Sequence, residues 1–569
     1  MLTITLLGKP RLELDGVAIK GPRGTKSWAL LARLLRSQDP VSRQRLVDEL
    51  FCEADDPMGA LRWTLAELRR SMGIPNALRG NPLSGDLGPD VAVDVMKVAH
   101  GALEEVPSGG RFLEGVEVRD SSTFETWLLV ERRRVEGEVL GALRQSVLKA
   151  LSRRDYKRAV TFASAMVQRD PLDEAAHILL VKAHASAGDT VAASAQVEAA
   201  RALFVRELGI EPSSALRAAA RASVAAPVPG VSPRTSAISL RSAGLAALSA
   251  GAADAGIECL RGAAAAAEGA RDAALLSDCL LELGTAFVHA VRGYDDEGQV
   301  VLESAFEAAM EAGQASVAAR AMTELGYVDV LFGRRLSSTQ RLATARDMAE
   351  GHPELMAIVA SYQGMNLYDW GKLEESEHRF REAIELSQEA GKLRRQGWAL
   401  GVGSRTLYTS GDYAEAGEWA SRSVEIALRE RWPAFRPWAE AMCAHIDLAQ
   451  GKSPEAVRAA LESTFALSCQ LQDACWEAIS AKALAMTYGA EGNYGPGVEW
   501  LRIASRACAR VTDSYRWVTM DVLVTEAEWA HEQGDLEASK SLASEVIPDV
   551  AEFSMDGLLK RATAIMRAT

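Results

Sequence analysis

The chain has 569 residues, of which 48% are hydrophobic and 25% charged, so length and composition point to about three or four domains of a soluble globular kind. Aromatic residues make up only 6% and alanine is abundant, which favours close-packed helices over β-sandwiches. A net charge of -14 excludes a surface that coats nucleic acid throughout, yet residues 1–80 carry 13 Lys+Arg against 9 Asp+Glu and leave room for one small DNA-reading module.

The first elements read as a small sheet. Leu2, Ile4 and Leu6 alternate, Leu12 and Leu14 follow, and Asp15-Gly16 is a hairpin turn signal. A helix is predicted from Lys26 to Arg36. A second, VSRQRLVDELF, runs from Val41 to Phe51 with Ser42 as its natural N-cap. A third spans Asp55 to Gly73, where Leu61, Leu65, Leu68 and Met72 follow the helical period and face a core. Its opposite face carries Gly59, Trp63, Ala66 and Arg70, flanked by Arg62 and Glu67. The segment from Ala77 to Asp90 holds Arg79 as its only cation and no aromatic residue. Thr123 to Ala218 is helical again. Hairpin-like turns fall near Arg154-Asp155-Tyr156 and at Gly188-Asp189, with Ala159 and Ala193 five residues after Arg154 and Gly188.

Four strings in this stretch occur in a family's order. FLEG (Phe112 to Gly115), FETWLLVERRR (Phe124 to Arg134), RDPLDEAAH (Arg169 to His177) and ELGIEPSSALR (Glu207 to Arg217) resemble those of the bacterial transcriptional activator domain. In that family the domain follows a winged helix–turn–helix, and the whole resembles a SARP-like regulator. The resemblance implies that Val41 to Phe51 is the second helix of such a module and that Asp55 to Gly73 takes the place of its recognition helix. Arg62 and Arg70 are then expected to reach bases, because arginine is the commonest base reader in the major groove. Arg23, Lys26, Arg43, Arg45, Arg69 and Arg79 are expected at phosphates. The same resemblance implies promoter DNA and RNA polymerase as partners, with a possible homodimer formed through the activator domain. Glu67 beside the reading face, Gly59 within it and a wing segment without an aromatic favour the alternative, a tetratricopeptide scaffold whose winged helix contacts protein.

After a linker, APVPGVSPRTS from Ala226 to Ser236, a helix–Gly–helix punctuation recurs at Gly251, Gly293, Gly333, Gly371, Gly411, Gly451, Gly492 and Gly534, spaced 38 to 42 residues apart. Seven residues before and five after each glycine stands Gly, Ala or Ser; twelve after, only Val546 breaks that rule. Small residues on both helices let two backbones approach, and the glycine turns the chain between them. The pattern resembles the tetratricopeptide repeat, although that repeat is usually about 34 residues long. The expected fold is therefore mainly α: a winged helix–turn–helix (1–90, α+β), an activator domain of helical hairpins (91–225), a linker (226–236) and an α-solenoid of about eight repeats (237–569).

The register places Tyr327, Tyr368, Trp398, Arg405, Tyr408, Trp438 and His445 on the concave face of the solenoid. That set suits a peptide, protein or small-molecule effector; packing between neighbouring repeats is the other reading. Seven cysteines without a C-x-x-C read as free thiols of a cytoplasmic protein. No secretory leader and no membrane span are expected. GPRGTKS (Gly21 to Ser27) lacks the Gly-Lys pair of a phosphate loop. His177 and His184, seven apart, lack further metal ligands at a recognised spacing. No catalytic constellation stands out, so no enzyme activity, cofactor or metal is expected.

Overall fold

The computed structural model describes residues 1–37, 39–99, 103, 105–107, 110–118, 121–153, 155–220, 232–249, 252–290, 295–471, 473–510 and 515–568. The chain divides into two compact units, Met1–Ser223 and Val224–Thr569.

The first unit opens on strands β1 (Leu2–Thr5), β2 (Arg11–Leu14) and β3 (Val17–Ile19). Leu2, Ile4 and Leu6 are buried, as the alternation requires. Asp15 and Gly16 both adopt positive φ, 50° and 79°, which turns β2 into β3 with the twist a tight hairpin needs. Three helices follow: α1 (Thr25–Leu35), α2 (Arg43–Leu50) and α3 (Pro57–Met72). The Ser42 hydroxyl accepts the Arg45 amide and so caps α2. Asp56 caps α3 by accepting the Gly59 amide, and Gly73 ends it in the left-handed region. A Cβ at Gly59 would lie 2.1 Å from the Asp56 carboxylate, so this glycine makes room for the cap.

Strand β4 (Val91–Val93) lies parallel to β1, in the sheet order β3-β2-β1-β4. The N-terminal sheet thus reaches past the boundary expected at residue 90. The reason lies in the next residue: the Asp94 carboxylate accepts the amides of Leu6 and Leu7 and ties β4 to the end of β1. Then come α4 (Asp94–Ala99), the 31-residue α5 (Ser122–Ser152), α6 (Tyr156–Arg169), α7 (Glu174–Ser186), α8 (Thr190–Leu208) and α9 (Ser214–Ala219). Ala159 and Ala193 are fully buried where the hairpin register puts small residues. The turn expected at Arg154 lies outside the described residues. His177 is a packed histidine: Nε2 meets the Pro171 carbonyl at 2.9 Å and Nδ1 meets Gln196 at 2.8 Å.

In the second unit eight hairpins follow one another among the described residues. The first four are Pro233–Ser249 with Ala253–Gly269, Ala273–His289 with Asp295–Glu311, Ala315–Leu331 with Arg335–Met348, and Pro353–Trp370 with Leu373–Glu389. The next four are Leu393–Ser410 with Tyr413–Arg429, Arg436–Ala449 with Pro454–Leu471, Ala474–Ala490 with Tyr494–Ala509, and Arg516–Glu532 with Leu536–Glu552. A closing helix, Asp556–Ala568, ends the chain. The first hairpin begins inside the expected linker, because Ser232 accepts the Thr235 amide and Pro233 suits a first helical turn. Residues 226–231 of that linker lie outside the described residues.

The small-residue register has a direct physical basis. The hydroxyls of Ser338, Ser376 and Ser539 donate to the carbonyls of Gly326, Gly364 and Ala527, each twelve residues back, at 2.8 to 3.0 Å. A Cβ on Gly364 would come within 2.9 Å of the Phe380 ring. Gly333, Gly371, Gly411, Gly451, Gly492 and Gly534 all have φ between 72° and 90°; Gly251 and Gly293 lie outside the described residues. The sixth hairpin departs from the register: Ala456 and Ser463 are exposed, whereas Val457 and Thr464 are buried. Its second helix starts at Pro454, three residues after the glycine rather than two, so every buried position slides by one.

Two charged networks tie hairpins together, and the first reaches across several of them. Asp369 pairs with Arg335 at 3.2 Å and Arg405 at 3.1 Å, and Tyr515 donates to it at 2.8 Å. Phe553 packs on Gly333, and Asp556 and Gly557 on Gly371. The end of the solenoid thus returns to its third and fourth hairpins. Further along, Asp521 binds Lys482 and Arg561. Burial opposes ionisation of Asp521, but these two cations outweigh it and hold the carboxyl down at about 2.

Gly364→Leu is expected to cost about 1–3 kcal/mol by overpacking against Phe380 and to lower the urea midpoint of the intact chain. Asp369→Ala, which strands two buried arginines, is expected to cost about 3–5 kcal/mol. The Asp521 contribution should be complete above the ordinary value of 3.8 and disappear as pH falls from there towards 2. Acid titration followed by circular dichroism checks this, and Asp521→Asn should remove that part of the acid transition.

Candidate nucleic-acid interface

Helix α3 packs its Leu61, Leu65, Leu68 and Met72 stripe against the rest of the first unit. Between Pro57 and Gly73 the exposed residues are Arg62, Trp63, Ala66, Arg70 and Gly73 itself. The Arg62 and Arg70 side chains are 66% and 73% exposed, Arg62 lying 3.8 Å from Asp56 and Arg70 paired with Glu67. Glu67 is placed differently from expectation. It is only 8% exposed, and its carboxylate takes Arg70 Nη1 at 2.7 Å. Six residues before Gly73 it falls on the inward half of the helix, and its charge is neutralised there rather than offered to a phosphate.

A second group of cations gathers where the start of α2 and the end of α3 meet residues 77–81. Arg69 Nε donates to the Ala77 carbonyl at 2.8 Å, and its Nη2 donates to Leu78. Arg43 Nε donates to the Gly80 carbonyl at 2.9 Å, and its amide to Asn81. Arg79 donates to the Pro75 carbonyl at 3.0 Å. The Arg69 pKa is lowered, first by burial and then by the nearby charges of Arg79 and Arg43, so the three guanidiniums share one neighbourhood. Arg69 is spent on holding the loop; Arg79 is exposed and Arg43 half-buried. The loop itself is fastened by Val41 and Leu83, which exchange both backbone hydrogen bonds at 2.8 and 2.9 Å. No strand among the described residues forms a hairpin between Ala77 and Asp90.

The remaining sequence-nominated cations lie elsewhere. Arg23 is exposed ahead of α1, Lys26 sits 5.7 Å over the Phe51 ring, and Arg45 pairs with Glu49 at 2.8 Å. Sequence reading missed the cation that joins the first module to the next. Arg36, at the end of α1, is buried and binds Glu131 at 2.5 Å and Glu138 at 2.6 Å, both on α5. Burial disfavours its charge, but the two carboxylates outweigh that and raise its pKa. Arg33 binds Glu49 through two bonds and lies 5.4 Å from the Trp127 ring, and the Ser121 hydroxyl donates to the Glu49 carbonyl. These pairings are 72 to 102 residues apart for the Ser121 and Arg36 bonds, beyond the reach of any local pattern.

In the second unit the residues expected on a concave face pack largely on one another. Tyr327 stacks between His289 at 5.2 Å and Tyr362 at 4.4 Å, and Trp398 meets Tyr362 edge-on. Arg405 is fully buried, 4.0 Å over the Tyr368 ring and 5.6 Å from Trp438. Trp438 donates its indole N–H to the Gly401 carbonyl at 3.0 Å. Tyr408 lies 6.3 Å from His445, whose pKa is pushed down to about 4 by burial and then by Lys482. Among the described residues no group of three His, Cys, Asp or Glu side chains is arranged to hold a metal, and no helix is long and apolar enough to cross a membrane.

Comparison with known proteins bears on the middle of the chain. No curated protein matches the sequence. Among solved structures, aspartyl phosphate phosphatase F from Bacillus subtilis is 12% identical and covers 65% of this chain and 93% of its own, at a TM-score of 0.41. The apo quorum sensor NprR from B. thuringiensis is 12% identical over 66% of this chain and 99% of its own, at 0.40. Mycobacterium tuberculosis EmbR, in complex with a low-affinity phosphopeptide, is 18% identical over 38% of this chain and 64% of its own, at 0.29. The family of the bacterial transcriptional activator domain matches residues 98–222. That span contains all four strings that carry the resemblance and runs from the end of α4 past α9. Residues 98–222 thus match a bacterial transcriptional activator domain, preceded in the chain by a small sheet-and-helix module and followed by a run of helical hairpins.

Proposed function

We propose that this protein is a cytoplasmic, non-enzymatic transcriptional regulator that binds promoter DNA through α3 and the cations around it. The observation that carries the reading is the outward pair Arg62 and Arg70 on one helix face, beside the Arg43, Arg69 and Arg79 cluster and ahead of an activator domain. Arg62 and Arg70 reach base edges, whereas Arg43, Arg79, Arg23, Lys26 and Arg45 meet phosphates and Arg69 shapes the loop that presents them. The buried Arg36–Glu131–Glu138 bridge fixes α5 to α1, so the activator domain is held in one orientation to the reading helix, facing RNA polymerase or a second copy. The hairpins of the second unit form the input arm and take a peptide, protein or small-molecule effector along their concave side, around Tyr327, Trp398 and Tyr408.

The alternative of a scaffold that does not bind DNA loses part of its support, because Glu67 is neutralised and Gly59 serves the Asp56 cap. The remaining support is the segment 77–90, which offers one cation and no strand hairpin among the described residues.

Removing Arg62 and Arg70 together should abolish retention of a specific promoter in an electrophoretic shift at stated salt; unchanged retention would sink the base-reading role. Arg43→Ala with Arg79→Ala should weaken binding to any duplex and reduce the slope of log affinity against log salt by about 0.9 per lost phosphate contact. Arg36→Met combined with Glu131→Leu, which empties the bridge between α1 and α5 without stranding the buried Glu131, should leave duplex binding near the native level while lowering transcription from a reporter promoter.

A further inference from the structure

The reading face of α3 is unusual in what it lacks. Thr64 is buried with its hydroxyl on the Ala60 carbonyl, and Glu67 is turned inward onto Arg70. Ala66 offers no polar side-chain atom, and neither does Gly59. The only hydrogen-bonding side chains left on the face are the two arginines and the indole of Trp63. Arg62 and Arg70 stand eight residues apart, about 12 Å along the axis. The stretch between them presents one large apolar surface, Trp63, next to one small residue.

Trp63 is 57% exposed, on a helix whose other large apolar side chains from Leu61 to Met72 are buried. The four core positions of that stripe are filled, so its ring has no place inside. No ring or cation contact engages it among the described residues. Arg62 and Arg70 flank it on the same helix with exposed side chains, a setting that suits a polyanion and repels a basic protein face. A B-form major groove offers one apolar group, the C5-methyl of thymine, beside acceptors that an indole N–H can meet.

We propose that Trp63 is a specificity-determining residue that reads the C5-methyl of a thymine in the major groove, with Ala66 letting the helix approach the base edges closely. This rests on the DNA-binding reading above and adds to it a base and a chemical group. It also gives Trp63 a task that arginine cannot perform, since a guanidinium recognises acceptors and not a methyl.

The test uses the full-length protein. A random duplex pool is carried through rounds of binding, and the enriched duplex is remade with deoxyuridine replacing one thymine at a time, which removes the methyl and keeps the pairing. One such replacement is expected to weaken the native protein roughly tenfold. Trp63→Ala should bind the thymine and uracil versions alike, both at the weakened level, and Trp63→Phe should recover part of the discrimination. Because the side chain is exposed, the variant should keep its thermal midpoint, which circular dichroism checks. Enrichment of a duplex with no methyl-sensitive position, or equal loss by Trp63→Ala on specific and random duplexes, overturns the assignment and leaves base reading by Arg62 and Arg70 standing. Failure to enrich any duplex overturns the DNA-binding reading itself, and Trp63 then belongs to a protein contact.

Discussion

A serine hydroxyl on one helix and a backbone carbonyl twelve residues earlier on its partner recur through the solenoid, at Ser338 and Gly326, Ser376 and Gly364, Ser539 and Ala527. Such a bond forms only where two helix backbones nearly touch, and that closeness needs a glycine or alanine on the facing side. Everything larger in the second unit follows from it. The interaxial distance is set, the left-handed glycine closes the hairpin, and bulky residues such as Phe380 and Trp419 fill the space between layers. Where the second helix starts one residue late, at Pro454, the buried set slides with it and the hairpin still packs. Geometry is conserved there at the expense of numbering.

The first unit depends on charge in places where the solenoid depends on size. Arg33 with Glu49, and Arg36 with Glu131 and Glu138, are buried ions paired across α1, α2 and α5, and each costs desolvation that only its partners offset. Their benefit is orientation. A short sheet-and-helix module could swing freely ahead of a long helix such as α5; instead three side chains hold it. The same logic explains Glu67, a carboxylate that looks hostile to DNA in the sequence and becomes the brace that points Arg70 outward.

Much of this was legible beforehand, and the limits have physical causes. The hairpins, their turn glycines and the small positions depend on local repeats, so Gly371, Ser376 and Ala383 could be placed from spacing alone. The core stripe of α3 and the Ser42 cap were equally local. Strand β4 was not, because Val91–Val93 gains its place through pairing with β1 and through Asp94 bonding to Leu6 and Leu7, all nearly ninety residues earlier. Helical periodicity could mark Tyr368, Arg405 and Trp438 as facing one side, but not that Tyr515 and Trp517 from a later hairpin would crowd against Arg405. Glu67 sits at the edge of the α3 stripe, where a helical wheel cannot distinguish inward from outward.

The return of Phe553 and Asp556 to Gly333 and Gly371, reinforced by Tyr515 and Asp369, has a consequence for how this protein can change over time. An open array of hairpins lengthens or shortens by duplication and deletion, since each unit touches only its neighbours. Here the last helices must arrive at fixed partners in the third and fourth hairpins. One hairpin more or fewer would carry Tyr515 away from Asp369 and Arg405, and Phe553 and Asp556 away from Gly333 and Gly371. The number of repeats is therefore a closed quantity, and variation in this lineage should appear as substitutions within hairpins and as changes in loop length, not as gain or loss of whole units.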